Sequence, residues 1–244
     1  MSVLSLFSAA VVSVGALTAP TATVERVFRA ERYSRGDTNI SRLQPLDDAS
    51  WLGLPDAYCR FRRDFSTTGG VARIDVSADE RFVLILDGQV VARGPNRGDI
   101  NNWQYQTYDL ELASGPHRLE AVVWRLGRPG PYAQLSWRGG FILKANAAYD
   151  KRLTTGVAKW QVGKLSGIEA AGADDGAWGT GSQWKITGSG IVVAEPSAWT
   201  DAEVVRGFAG TKGPRIYGGR TNGWMLFPSQ IPDQTEDAVT PGRV

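Results

Sequence analysis

From Tyr58 onward, apolar and polar residues alternate at period two, the spacing of a strand with one face in a core. Cys59, Phe61, Arg63 and Phe65 fall on one side of the first run, with Arg60, Arg62 and Asp64 on the other. In the next, Ala72, Ile74 and Val76 face away from Val71, Arg73, Asp75 and Ser77. Phe82-Val83-Leu84-Ile85-Leu86 is instead continuously apolar, which predicts a strand buried on both faces. Asp87-Gly88 predicts a two-residue hairpin turn, because both residue types tolerate positive φ, and Gln89 to Arg93 is the returning strand. Gly94-Pro95-Asn96-Arg97-Gly98-Asp99 reads as a loop. Trp103 to Leu110 and His117 to Trp124 alternate again, on either side of a turn predicted at Gly115-Pro116. Ala133 to Trp137 and Phe141 to Leu143 are expected to follow as strands.

Strands of this length, with no stretch holding a 3.6-residue period, predict an all-β protein built as a β-sandwich. Residues 51–207 are its expected extent. Residues 23–50 are polar and mixed, apart from Val24, Val27 and Phe28, and read as a linker or edge strand. The stretch 146–198 is looser and Gly-rich, with Trp160, Trp178 and Trp184 expected to anchor loops on the sheet. One last apolar strand is expected from Trp199 to Val205. Residues 208–244 read as turn and coil around a hydrophobic anchor at Trp224-Met225-Leu226-Phe227-Pro228.

Composition supports this picture: 29 glycines and 12 prolines imply many turns, and nine tryptophans imply a rich core, an aromatic binding face, or both. A net charge of +2 gives no general drive toward nucleic acid or an anionic membrane. Residues 1–22 are mostly apolar or small up to Pro20 and read as a signal peptide or a disordered leader. No Lys or Arg precedes the apolar stretch, as a signal peptide would normally have, and a mis-assigned start codon is the rival reading. The stretch is too short and Ser-rich for a membrane span. Export would place the chain outside the cell or in the periplasm.

Cys59 is the only cysteine, so no intramolecular disulfide can form, and its place in a strand reads as a small buried hydrophobe. His117 is the only histidine and is expected at the surface of a turn. One of each cannot supply the usual zinc ligand sets. A Ser-His-Asp triad would have only His117 to draw on, and no Gly-x-Ser-x-Gly elbow surrounds a serine. Asp79 and Glu80 are adjacent, so on a strand they point to opposite faces and cannot flank one glycosidic bond. Asp174 and Asp175 lie in a Gly-rich loop, solvated or, as a weaker alternative, holding calcium; a structural Ca²⁺ leaves no reliable spacing signature, and no cofactor is indicated.

Several segments, in order, resemble a known family. Phe61-Arg62-Arg63-Asp64-Phe65, Ser77-Ala78-Asp79-Glu80-Arg81-Phe82, Asp87-Gly88, Gly94-Pro95 and Tyr105-Gln106-Thr107-Tyr108-Asp109-Leu110 are similar to the galactose-binding-like jelly roll of glycoside hydrolases. The likeness is greatest to the N-terminal region of bacterial α-L-rhamnosidase-like proteins. Trp199-Thr200-Asp201-Ala202 and Trp224 to Pro232 resemble that family's later strand and its exit toward the catalytic domain. The ordered set, over roughly residues 50–235, carries the likeness, since each motif alone is weak. The resemblance implies a jelly-roll sandwich in a sugar context, with 208–244 as an exit segment toward a catalytic domain in cis. It implies no catalytic residue here, because the family's acid and base lie in a helical barrel downstream of the exit. The chain is therefore expected to be a fragment of a longer enzyme or an interrupted reading frame.

Sugar binding by such a fold uses an aromatic face and Arg, Asn or Asp for hydroxyls. The segment after the hairpin offers Arg93, Asn96, Arg97, Asp99, Asn101, Asn102 and Trp103, and Trp124 with Arg128 could form a second wall. The expected ligand is a plant or microbial glycan, with rhamnose or galactose among its sugars. The opposing reading has Trp103 and Trp124 filling the core and the arginines contacting a catalytic domain, which makes the chain a buttress without a sugar site. A stand-alone glycosidase ranks third.

Overall fold

The computed structural model describes residues 23–27, 49–55, 57–98, 103–125, 136, 138–171, 183–186, 194–205, 215–216, 219–220, 224 and 226–233. In chain order the elements are β1 (Val24–Val27), β2 (Leu52–Gly53), β3 (Tyr58–Asp79), β4 (Arg81–Leu86), β5 (Gln89–Gly94), β6 (Trp103–Trp124), β7 (Gly140–Ala145), α1 (Asp150–Leu153), β8 (Gln161–Lys164), β9 (Ile168–Ala171), β10 (Gln183–Ile186), β11 (Thr200–Asp201), β12 (Arg215–Ile216), β13 (Gly219–Arg220) and β14 (Leu226–Pro228).

Two 22-residue strands, β3 and β6, form the spine. They pair antiparallel in one register from Tyr58↔Trp124 to Val76↔Gln106, interrupted only opposite Gly69. The first half of β3 and the second half of β6 lie in a half-sheet of order β11-β8-β3-β6-β4-β5. Their other halves lie in a second, where β7 and β2 extend the β3 side and β1 and β14 pair with β6. The spine bends where Gly69 and Gly70 (φ 94° and 118°) run beside Gly115 (φ 135°), angles that residues with a Cβ rarely adopt. At that bend the buried face changes parity in both strands. Cys59, Phe61 and Phe65 give way to Ala72, Ile74, Val76 and Ala78; in β6, Tyr108, Leu110 and Leu112 give way to Leu119, Ala121 and Val123. The two half-sheets close over one core. Phe61 of the first stacks on Phe141 of the second at 5.3 Å, and Trp160 caps Phe141 edge-on at 5.5 Å.

The expected all-β sandwich is therefore what the chain forms. Two local expectations change. The glycine-containing breaks around 66–70 and 115–116 are bends inside continuous strands, because pairing across the ladder continues through them. The apolar strand expected from Trp199 to Val205 shrinks to Thr200–Asp201 plus a bridge from Val204 to Leu52, and Val204 is exposed. Both faces of β4 are buried as expected, and Asp87 and Gly88 (φ 50° and 83°) make the hairpin turn to β5. Of the strand expected at 133–137 only Ser136 is among the described residues, and Trp178, Asp174 and Asp175 lie outside them.

The outer faces are covered too. Trp51 and Trp224 stack at 3.9 Å over Trp103, Tyr105 and Ile142 of the second half-sheet. On the first, Arg60 reaches Glu120 (3.1 Å) and Glu195 (2.8 Å), and Arg62 stacks on the Trp199 ring at 3.9 Å. Burial raises the Glu120 carboxyl above the usual range, an effect Arg60 only partly offsets.

Candidate functional site

β5 is the edge strand of the first half-sheet, and the chain leaves it through Gly94-Pro95-Asn96-Arg97. A cleft of about 660 Å³ runs along this edge. Phe82, Ala92 and Gln106 contribute to its lining, with Arg81, Arg93 and Arg97, the ring of Trp124, and Asp233 from the C-terminal segment. Gly94 is required by the close approach of neighbours: a methyl group there would collide with the Gln106 side chain and the Phe82 ring.

Hydrogen bonds hold the cleft together. Gln106, 1% exposed, donates from Nε2 to Asp233 Oδ1 (2.8 Å) and to the Arg93 carbonyl (3.2 Å). Tyr108 donates its hydroxyl to Asp233 Oδ2 at 2.9 Å, and Arg26 of β1 approaches Asp233 Oδ1 at 3.4 Å. Burial first, then the charge and hydrogen bond of Asp233, push the Tyr108 phenol well above its ordinary value, so it stays a neutral donor. Arg81 donates to the Pro95 carbonyl. Asn96 donates from Nδ2 to Ser229 Oγ (2.7 Å) and the Ile231 carbonyl (3.3 Å). Residues 229–233 are thus stitched to the cleft by side chains remote in sequence.

Of the candidates read from the sequence, Arg93, Asn96, Arg97 and Trp124 line this one cleft. Trp103 does not. It is 4% exposed, donates Nε1–H to the Ala78 carbonyl (3.1 Å) and packs edge-on to Trp224 at 6.5 Å, so no ring face is open to a sugar. The position in β6 that turns it to the covered outer face of the second half-sheet is the physical reason. Asp99, Asn101, Asn102 and Arg128 lie outside the described residues. Arg81, Gln106 and Asp233 were not among the candidates; only the strand pairing and the return of the C-terminal segment bring them in, and no spacing in the sequence signals it.

The other singled-out residues have structural partners. Asp79 and Glu80 are buried. Asp79 Oδ2 accepts from Trp224 Nε1 (2.9 Å) and from the Arg138 amide (3.1 Å). Cys59 is fully buried. His117 is not the surface turn residue expected. It lies in β6 with its side chain 8% exposed, Nδ1 2.7 Å from Asp87 Oδ2 and Nε2 2.8 Å from the Ala113 carbonyl. Burial disfavours the charged ring, but these two partners outweigh it and raise the His117 value above the ordinary one.

No protein-family model and no curated protein sequence matches the chain. Among solved structures it is similar to the GH78 family rhamnosidase of Bacillus sp. GL1, with a TM-score of 0.54 and 22% identity, over 76% of this chain and 20% of that one. Weaker likenesses are the α-L-rhamnosidase from Dictyoglumus thermophilum (TM-score 0.42, 14% identity, 65% of this chain, 21% of that one) and the Pleurotus ostreatus lectin in complex with GalNAc (TM-score 0.35, 15% identity, 59% and 43%). The chain spans about a fifth of the length of the Bacillus enzyme, and the likeness between them is one of fold.

Proposed function

We propose that this chain is a non-catalytic carbohydrate-binding module, the N-terminal part of a rhamnosidase-like glycoside hydrolase, with 208–244 leading toward a catalytic domain in cis. The observation that carries the reading is the cleft along β5, which gathers guanidinium groups, an amide and the Trp124 ring at one open edge. Aromatic faces take the apolar side of a sugar ring, and guanidinium and amide groups take its hydroxyls. The ordered motifs and the fold shared with the Bacillus rhamnosidase support the sugar context. Such a module raises the effective concentration of glycan at a tethered active site.

A second reading, a buttress without a sugar site, draws on the engagement of Asn96 with residues 229–231, which gives that side chain a structural task. A glycan array probed with the pure chain separates the two. Retention of plant or microbial glycans, lost in Trp124→Ala and in Arg97→Ala, is the outcome expected of a module. A chain that retains no glycan on the array is a buttress. Turnover of aryl rhamnosides by the pure chain would instead make it an enzyme in its own right.

A further inference from the structure

We propose that the β5 cleft takes an acidic glycan, with a ring carboxylate or sulfate seated against Arg81 and Arg97. This rests on the carbohydrate reading of the same cleft and deepens it. Among the described residues, the cleft is lined by the guanidinium groups of Arg81, Arg93 and Arg97 and by the carboxylate of Asp233. Asp233 is already committed, since Gln106, Tyr108 and Arg26 all converge on its two oxygens. Arg26 approaches the same carboxylate, so Asp233 is not left to balance Arg81 and Arg97.

The two arginines at the centre of the proposal have donors to spare. A guanidinium carries five N–H donors in a planar fork. Arg81 gives one nitrogen to the Pro95 carbonyl, and Arg97, which is exposed, bonds to no described residue. Arg97 stands close enough for its charge to act on Arg81. Partial burial of Arg81 first, and that repulsion second, disfavour its cationic form, and Glu80 compensates only in part. Two like charges held together at a half-buried edge are stabilised by an anion placed between them, and a forked guanidinium pair matches the oxygens of a carboxylate or sulfate. A neutral sugar would leave the repulsion in place. Trp124 on the same wall supplies the apolar face that would orient the ring of such a sugar.

The test is isothermal titration of the full chain at low and at physiological salt with four probes. These are trigalacturonate, its methyl ester, a carrageenan tetrasaccharide that carries sulfate and no carboxylate, and a neutral rhamnose- and galactose-containing oligosaccharide. Trigalacturonate or the sulfated probe should bind, the methyl ester at least about tenfold more weakly, and added salt should weaken the acidic probes alone. Preference between the two acidic probes tells carboxylate from sulfate. Arg97→Gln and Arg81→Gln should each cost about tenfold for the acidic probe while the melting temperature of Arg97→Gln stays unchanged. Equal affinity for the acid and its ester, or binding of the neutral probe alone, overturns the acidic-ligand assignment and leaves the carbohydrate reading standing. Binding of no probe overturns both.

Discussion

At the scale of single residues, the two tryptophans that bracket β6 have separate tasks. Trp103 is sealed between Trp224 and the Ala78 carbonyl, whereas Trp124 is only partly buried and reaches the cleft. Truncating Trp103 removes a buried ring and its hydrogen bond, a change that costs about 3–5 kcal/mol. In a domain of this size that lowers the melting temperature by roughly 10 °C. Trp103→Ala is therefore expected to melt far below the wild type, and a thermal scan of that variant that matched the wild type would remove Trp103 from the core. The sequence made both tryptophans look alike, because each sits in an alternating run beside a loop. Both point away from the central core, and what separates them is their cover: Trp103 lies in the cluster roofed by Trp51 and Trp224, whereas Trp124 ends at the cleft. The alternation on either side of the Gly115 bend was legible, but that cover was not. Arg93, Asn96 and Arg97 were legible for the opposite reason: a short loop keeps them together whatever the rest of the chain does.

At the scale of elements, the β4–β5 hairpin is latched to β6 at its tip. Asp87 accepts from His117 through one oxygen and from the Arg118 amide (2.8 Å) through the other, and the Asp87 amide donates to the Arg118 carbonyl (2.9 Å). The latch titrates. His117 in the fold has a value above the ~6.5 of an unfolded chain. Its stabilisation is thus complete below that pH and is lost as pH rises through the folded value. Melting temperatures of the wild type and of His117→Gln should differ most at mildly acidic pH and draw together toward alkaline pH. A gap that stays constant, or widens as pH rises, would show that the charged ring adds nothing. The hairpin itself could be read from Asp87-Gly88 and the apolar run before it. Its latch could not, because His117 is 30 residues away from Asp87 and meets it only through the β4–β6 ladder.

At the scale of the whole molecule, the cleft depends on closure of the chain on itself. β14 pairs parallel with the start of β6, Trp224 stacks on Trp51, and residues 229–233 return to Asn96, Gln106 and Tyr108. Strand pairing between segments more than a hundred residues apart sets this arrangement. Local pattern therefore gave the sandwich class and half of the cleft wall, while its floor and far side came only with the tertiary fold. The most direct measurement is a ¹⁵N-resolved titration of the chain with the oligosaccharides above, following the Trp124 indole N–H, assigned by its loss in Trp124→Phe. If the cleft is the glycan site, that resonance and the amides of residues 93–97 shift together and saturate together. Shifts confined to residues outside the cleft, or no shift at saturating oligosaccharide, would contradict it.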